Sequence, residues 1–141
     1  MTEHESEGQY YFIDSNIWLY AFIQSQNLDK SNAAQSVIKN NDIVVSTQVI
    51  NEVCINLIRK AMFTEDKIQE LIDSFYSKYR VIEFNKEIMK KASQIRSQHS
   101  FSFWDSLIFS SALYSEAEIL YSEDMHNGFS IETTKIENPF N

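Results

Sequence analysis

Four acidic residues of this sequence lie next to short apolar runs, where their side chains could do chemistry. Asp14 comes directly after the run YYFI, and Asp124 closely follows the run ILY. Glu52 and Asp105 each lie near the beginning of a segment with helical periodicity. Carboxylate oxygens suit Mg²⁺ or Mn²⁺, whereas zinc prefers His and Cys. If these four side chains meet, they could hold one or two such ions.

Each of these acids also has an ordinary structural explanation. Asp14 could cap a helix, Asp124 could make a turn and Glu52 could be solvated. Asp105 completes a capping pattern that begins at Ser102. The four together are harder to explain in this way, because crowded carboxylates repel one another unless cations are present. We therefore interpret them as a candidate metal-binding set.

The elements that must position these acids follow from apolar spacing and capping residues. Short runs of strand-favouring residues predict strands, and apolar residues three and four apart predict amphipathic helices. Ser46 or Thr47, Thr64, Asn85 and Ser102 are placed to cap four of the helices. The predicted strands are 10–13, 43–45, 80–84, 119–121 and an edge strand at 131–136, and the predicted helices begin at 17 or span 29–40, 48–62, 64–79, 86–99 and 103–117.

This alternation of strands and helices predicts a single α/β domain over residues 10–141. We expect a central parallel sheet of about four to five short strands, covered by helices on both faces. Residues 1–9 are polar and acidic without periodicity, and we expect a frayed leader. Since parallel strands end on one side of a sheet, acids far apart in sequence can converge there.

Composition limits the class of protein. The chain has 141 residues with 43% hydrophobic residues, two glycines and one proline, which favours a compact, helix-rich domain. The single cysteine, Cys54, lies among apolar residues, and we expect a buried thiol in a reducing compartment. No segment resembles a signal peptide or a membrane span, so we expect a cytoplasmic protein with no membrane partner.

The formal net charge of −8 bears on nucleic-acid binding. A protein that binds nucleic acid mainly by neutralising phosphates with Lys and Arg should be basic, so this charge argues against simple backbone binding. It does not exclude a nuclease, because bound divalent cations invert the local potential and meet the phosphate themselves.

Four segments, in this order and at these spacings, resemble the PIN-domain ribonucleases and in particular the VapC-type toxins of bacterial toxin–antitoxin pairs. They are FIDSNIWLYAF, STQVINEVCINLIRK, SFWDSLIFSSAL and LYSEDMHNG, and the resemblance runs from about residue 11 to residue 140. It implies a helix-covered parallel sheet and a metal-dependent endonuclease of RNA, for which the carboxylate ligands favour Mg²⁺, with Mn²⁺ able to substitute. It also implies a cognate antitoxin partner and a homodimer within a larger complex.

The resemblance assigns roles to particular residues. The acidic site would be Asp14, Glu52, Asp105 and Asp124, and Asn16 matches the small polar residue that follows the first acid. In the expected mechanism one ion lowers the pKa of a bound water that attacks the phosphorus in line, and a second ion stabilises the leaving oxygen. The products would carry 5′-phosphate and 3′-hydroxyl ends.

Three more residues near the last acid belong to the expected site. Ser122 matches the hydroxyl residue that precedes that acid. Asn127 stands where relatives often carry a further acid, and an amide oxygen is a weaker ligand for hard cations, so one metal or two remain open alternatives. His126 could act as an acid or support the ligands, although a loop histidine is more often exposed and idle.

Several aromatic residues leave alternatives open. Phe101, Phe103 and Trp104 could stack RNA bases, although core packing or a dimer contact is the preferred interpretation. Exposed members of the set Trp18, Tyr20 and Phe22 would form a groove for an antitoxin helix.

Two other classes of function compete with a nuclease. The chain could be a phosphoacceptor or phosphatase-like α/β domain in which Asp14 is the nucleophile. Such enzymes often carry a second acid two residues further on, where this chain has Asn16. It could also be a catalytically silent protein that keeps the PIN fold for interaction. Metal-dependent cleavage of RNA separates both from the nuclease.

Overall fold

The computed structural model describes residues 9–141, so all of the predicted leader except Gln9 lies outside the described residues. Strands and helices alternate along the chain, as the apolar spacing predicts. In chain order the elements are β1 Tyr10–Ile13, α1 Ser15–Phe22, α2 Leu28–Asn40, β2 Asp42–Ser46, α3 Thr47–Ala61, α4 Glu65–Lys78, β3 Arg80–Ile82, α5 Lys86–Gln98, α6 Phe103–Tyr114, β4 Ala117–Tyr121, β5 Ser130–Ile131 and β6 Thr134–Glu137.

The strands form one sheet in the order β3-β2-β1-β4-β6-β5. All neighbours pair in parallel except β5, which is antiparallel to β6. The chain builds outward from β1 through β2 to β3 and then places β4 on the other side of β1. The strand order therefore reverses between β1 and β4, and in open α/β sheets such a switch point is where ligands bind.

Both faces of the sheet are covered. Consecutive strand residues point to opposite faces, and in β1 both Phe12 and Ile13 are fully buried. The same is true of Val44 and Val45 in β2. A strand that is buried on both sides needs helices on both sides, so the predicted architecture is confirmed.

Capping side chains define where the helices begin. Ser46, Thr64, Asn85 and Ser102 each accept a hydrogen bond from the backbone N–H three residues further on. These bonds satisfy N–H groups that have no partner inside the helix, and all four caps agree with the sequence prediction. Helix α2 begins slightly earlier than predicted, because Asn27 caps it.

The end of the chain differs most from the prediction. Helix α6 ends at Tyr114 instead of residue 117, because Glu116 adopts a positive φ of 61° and Ala117 already begins β4. The predicted edge strand at 131–136 is two strands, β5 and β6, joined by a turn in which Glu132 has a φ of 53°. Strand β6 lies inside the sheet, so the sheet has six strands, with β3 and β5 as its two edge strands.

Helix α3 carries an apolar stripe into the core. Val53 and Leu57 are fully buried, and Cys54 beside them is a buried free thiol, as predicted. Burial raises the pKa of the Cys54 thiol, with a smaller contribution from the charge of Glu65. No helix within residues 9–141 has the length and apolar character needed to cross a bilayer.

Candidate active site

Asp14 lies at the switch point, directly after β1 and at the N-cap of α1. Its backbone N–H donates to the carbonyl of Tyr121, the last residue of β4, at 3.0 Å. Its Oδ1 accepts from the N–H of Ser15 at 2.7 Å, and its Oδ2 accepts from Oγ of Ser122 at 2.8 Å. The side chain is only 7% exposed. Both carboxylate oxygens are therefore fixed in a mostly dry position.

The surroundings of Asp14 change its acidity. Burial raises its pKa from 3.8 to about 6, because the charged form loses its hydration. The hydrogen bonds from Ser122 and Ser15 lower the pKa, whereas the charges of Glu52 and Asp105 raise it. Two acids distant in sequence thus act on Asp14 through space, at the edge where the parallel strands end.

Asp124 reaches the same edge from the other strand. It follows β4, it is exposed, and its Oδ2 accepts from Nδ2 of Asn16 at 3.0 Å. Asn16 is in the first turn of α1, two residues after Asp14. This hydrogen bond joins the turn after β1 to the segment after β4.

Gln48, which was not among the predicted site residues, contacts both Glu52 and the backbone of Trp104, the residue before Asp105. Nε2 of Gln48 lies 3.5 Å from Oε2 of Glu52 and 3.4 Å from the carbonyl oxygen of Trp104. It therefore joins α3 to the first turn of α6, where Asp105 lies. Its spacing of four residues from Glu52 places both on one helix face, which is the signal that could have found it.

Two amide oxygens at this edge have no hydrogen-bond partner. Among residues 9–141, the buried side-chain atoms without one are Oδ1 of Asn16, Oε1 of Gln48 and Oγ of Ser111. Buried polar atoms are nearly always satisfied, so the two oxygens beside the acids fit a site completed by a cation or its water. Carboxylate and amide oxygens are also the donors that Mg²⁺ and Mn²⁺ favour.

The acids themselves are not drawn tightly together. Within the described part of the chain, no three Asp, Glu, His or Cys side chains are grouped closely enough to hold one ion. Negative charges repel one another, so we expect carboxylates to approach to ligand distance only around a cation. The fold brings the four predicted acids to one edge, but the protein atoms alone do not close a ligand cage.

His126 and Asn127 contact neighbouring loops. Nε2 of His126 lies 3.4 Å from the carbonyl oxygen of Ser100, and its ring lies 5.8 Å from the ring of Phe101. Oδ1 of Asn127 accepts from the N–H of Asn138 at 2.8 Å. None of these contacts involves Asp14 or Asp124.

Glu123, which was not among the predicted site residues, lies between Ser122 and Asp124. Its carboxylate accepts from the hydroxyl of Tyr20 at 2.9 Å and forms an ion pair with Lys30. Lys30 also lies over the rings of Tyr20 and Phe140. These contacts tie residues 122–124, which include Ser122 and Asp124, to α1 and α2.

A cleft of about 640 Å³ lies near the amino ends of the strands, between α1, α2 and α4. Its floor is aromatic, with Trp18 1% exposed and packed 4.9 Å from Phe75 between ring centroids. Phe22 is 40% exposed in its wall. The cleft includes residues 41–43, at the beginning of β2, so it lies away from the carboxyl ends of the strands where the acids are.

Solved structures with this fold include several from toxin–antitoxin systems. A toxin–antitoxin complex from Klebsiella pneumoniae has a TM-score of 0.70 at 15% identity, over 92% of this chain and 97% of that one. VapBC2 from Rickettsia felis, bound to a promoter DNA fragment, has a TM-score of 0.65 at 22% identity, over 92% and 98%. The sarcin–ricin loop cleaving toxin VapC20 from Mycobacterium tuberculosis has a TM-score of 0.63 at 15% identity, over 78% and 86%. At these identities the likeness is one of fold.

The sequence itself matches a family model. A comparison with curated protein sequences finds no match. The model of the PIN domain matches residues 11–128, which is most of the chain. These residues contain all but the first residue of β1, all of β4 and all four candidate acids. The chain belongs to the PIN-domain family.

Proposed function

We propose that this chain is a metal-dependent endoribonuclease and the toxin of a type II toxin–antitoxin pair, acting in the cytoplasm. The observation that carries the proposal is the position of Asp14 at the switch point, where burial, and to a lesser extent the charges of Glu52 and Asp105, raise its pKa. Burying an ionised carboxylate costs free energy, and buried acids with shifted pKa values are frequent where a cation is bound or a reaction is catalysed. Membership of the PIN-domain family supports the nuclease reading.

Asp14, Glu52, Asp105 and Asp124 would hold one or two ions of Mg²⁺ or Mn²⁺, partly through water. When bound, such ions supply an activated water and neutralise charge on the scissile phosphate. Cleavage would then leave 5′-phosphate and 3′-hydroxyl ends.

The chain's own residues hold these ligands in place. Ser122 and the N–H of Ser15 each bind one oxygen of Asp14, so that carboxylate cannot rotate freely. Asn16 positions Asp124 from the first turn of α1. Gln48 holds the first turn of α6 against α3 and so sets the separation of Glu52 and Asp105. Each of these is a positioning residue, and none is proposed to move a proton.

The test is cleavage of a mixed RNA pool by the protein freed of any partner, with Mg²⁺ or Mn²⁺ and with EDTA. We expect cleavage with metal, none with EDTA, and at least a roughly 10- to 100-fold loss in Asp14→Asn, since even residues that support metal ligands carry effects of that size. Asp73→Asn is the matched control, because Asp73 is an exposed acid of α4. Full activity of Asp14→Asn would refute the assignment.

The rival functions predict different outcomes in the same experiment. A silent interaction protein would leave the RNA intact under every metal condition. A phosphoacceptor would form a stable acyl phosphate on Asp14 with a small phosphodonor. Two contacts argue against the phosphoacceptor. Both oxygens of Asp14 already accept hydrogen bonds, and the ammonium of Lys30 is paired with Glu123 and so does not neutralise charge on a phosphoryl group.

The aromatic cleft is the proposed seat of the antitoxin. Solved structures of similar fold are toxin–antitoxin complexes, and the chemistry of the cleft suits an amphipathic helix. Phe22, Phe75 and Tyr79 offer aromatic walls, and Lys39 and Lys78 lie among the lining residues, where they would favour an acidic flank on the partner. Of the aromatic set predicted for this role, Trp18 forms the floor and Tyr20 is engaged with Glu123.

A further inference from the structure

Two large aromatic side chains are exposed at the beginning of α6. Phe103 is 54% exposed and Trp104 is 58% exposed. Phe101, which the sequence grouped with them, instead packs against Phe109 and Phe129, at ring distances of 5.6 and 5.3 Å. A contiguous exposed aromatic pair is unusual for a surface that binds nothing.

A guanidinium group supports this pair. The Cζ atom of Arg96 lies 4.3 Å from the ring centroid of Phe103, and Nη1 of Arg96 donates to Oγ of Ser106 at 2.7 Å. Phe103 and Trp104 meet edge to face, with centroids 5.3 Å apart. Within residues 9–141 no carboxylate forms an ion pair with Arg96, so its charge is available to an anionic ligand.

The backbone places the pair beside the candidate site. Trp104 directly precedes Asp105, and its carbonyl oxygen accepts from Gln48, which also contacts Glu52. Trp104 and Asp105 are consecutive residues of α6, with Cα atoms about 3.8 Å apart and side chains that diverge by about 100° around the helix. The indole therefore lies beside a phosphodiester held at Asp105, where the base of an adjacent nucleotide could stack on it.

We propose that Trp104, braced by Phe103 and Arg96, is a platform on which an unpaired base of single-stranded RNA stacks next to the phosphodiester presented to Asp105. This inference rests on the proposed nuclease function and adds the part of the substrate that the acids do not contact. A base offers its face to the indole only when it is not stacked inside a duplex, which selects single strands, loops or splayed bases. The Arg96 charge suits the phosphate that flanks such a base.

The two tryptophans of the chain make the proposal measurable. Trp18 is 1% exposed and Trp104 is 58% exposed, so Trp104 is the tryptophan that an RNA base can contact directly. We expect a short single-stranded oligoribonucleotide of mixed sequence to quench the tryptophan emission, with Ca²⁺ in place of Mg²⁺ and also with EDTA. The same strand in a duplex should leave the emission unchanged.

Variants assign the effect to the platform. Trp104→Ala should weaken binding of the labelled oligonucleotide by about 5- to 150-fold, the range reported by single stacked bases, and Trp104→Phe should recover much of it. In turnover the loss should raise KM with little change in kcat, because the acids are untouched. Tyr114→Ala is the control, since Tyr114 is an exposed aromatic at the other end of α6.

Three results would overturn the platform. One is RNA binding, measured by anisotropy, that leaves Trp104 emission unchanged, and another is a Trp104→Ala variant with wild-type affinity and KM. The third is a dimer in which Trp104 is protected from quenching by acrylamide and which the double variant Phe103→Ala, Trp104→Ala dissociates. That result would make this surface a contact between two copies of the chain. If RNA is cleaved but any of these results is obtained, the platform is refuted and the proposed nuclease function is not. If RNA quenches the Trp104 emission but is not cleaved, the nuclease function is refuted and RNA binding at the platform is not.

Discussion

Asp14 is the one acidic side chain within residues 9–141 that the fold buries, and burial makes its charge expensive. Its carboxyl titrates near 3.8 when solvated and at about 6 in the folded protein. The folded state therefore holds a proton that the unfolded chain has already released over that interval. In the proposed metal site, the property that destabilises the metal-free protein would favour a bound cation, since a positive charge stabilises the ionised form of Asp14 that burial disfavours.

The stability of the metal-free protein should therefore depend on pH through Asp14. Well below pH 3.8 the carboxyl is protonated in both states, and its burial carries no ionisation penalty. As pH rises to about 6 the unfolded chain ionises first, so the free energy of unfolding falls by about 3 kcal/mol and then stays level. Asp14→Asn lacks this loss, so it should be the more stable protein above pH 6. Denaturant unfolding in EDTA from acid to neutral pH measures both curves.

Parallel curves for the wild type and Asp14→Asn would contradict that expectation. Asp73→Asn, on the exposed side of α4, should follow the wild type throughout. Adding Mg²⁺ should stabilise the wild type at neutral pH more than Asp14→Asn, because the cation binds the folded carboxylate and not the solvated one.

At the scale of the elements, the candidate acidic site and the aromatic cleft lie at opposite ends of the strands. The acids follow β1 and β4, where the strand order reverses. The aromatic cleft lies between α1, α2 and α4, near the beginning of β2. Helix α1 contributes to both, since its first turn carries Asn16 and its last turn carries Phe22. Binding of a partner and cleavage of RNA should therefore be separable by mutation.

Phe22→Asp should separate them. Phe22 is 40% exposed and stacks on Trp18 with a centroid distance of 6.1 Å, so an aspartate there puts a charge into an apolar contact surface. We expect affinity for a cognate antitoxin to fall by roughly 30-fold or more, the scale of a hot-spot residue, with RNA cleavage unchanged. Titration of each variant with antitoxin, read out as residual cleavage, measures the effect.

Leu28→Asp is the control for that experiment. Leu28 is an exposed apolar residue at the beginning of α2 and does not line the cleft. If Phe22→Asp were silenced by antitoxin as readily as Leu28→Asp, the antitoxin would have to bind elsewhere. If Phe22→Asp also lost RNA cleavage, the aromatic cleft and the acidic site would not be functionally independent.

At the scale of the whole molecule, the excess of acids limits how RNA can be held. The chain has 20 Asp and Glu against 12 Lys and Arg, for a net charge of −8. Long-range attraction to a polyanion is therefore absent from this balance, and affinity must come from local contacts. The proposed stacking on Trp104, the guanidinium of Arg96 and bound cations would be contacts of that kind.

RNA affinity should consequently depend weakly on monovalent salt. Each phosphate neutralised by a basic side chain contributes about −0.7 to the slope of log affinity against log salt concentration for single strands. With one or two such contacts we expect a slope no steeper than about −2, and Arg96→Gln should reduce its magnitude by about 0.7. Anisotropy with Ca²⁺ across a salt series measures both slopes.

A steep slope would point to a basic binding groove that the charge does not lead us to expect. Lys60→Gln is the control for Arg96→Gln, since Lys60 lies in the last turn of α3, at the other end from Gln48 and Glu52. Its loss should leave the slope unchanged.

Local features of this protein could be predicted from its sequence because their causes are local. A cap depends on a side chain and an N–H three residues away, so Ser46, Thr64, Asn85 and Ser102 could be identified directly. Apolar spacing predicted the helices and the first strands in the same way. The parallel sheet followed from their alternation, and the acids after its strands marked the edge that carries the candidate site.

Features that depend on distant partners were decided only by the tertiary structure. Residues 131–136 could not be recognised as a turn and an interior strand, because β6 exists through its pairing with β4. The roles of Gln48 and Glu123 arise from contacts with Trp104 and Lys30, which are far away in sequence. Phe101 and Trp104 are aromatic residues of the same short segment, and only the tertiary packing shows that Phe101 packs against the core while Trp104 is exposed. Burial and long-range contacts are properties of the assembled chain, so spacing along the sequence does not contain them.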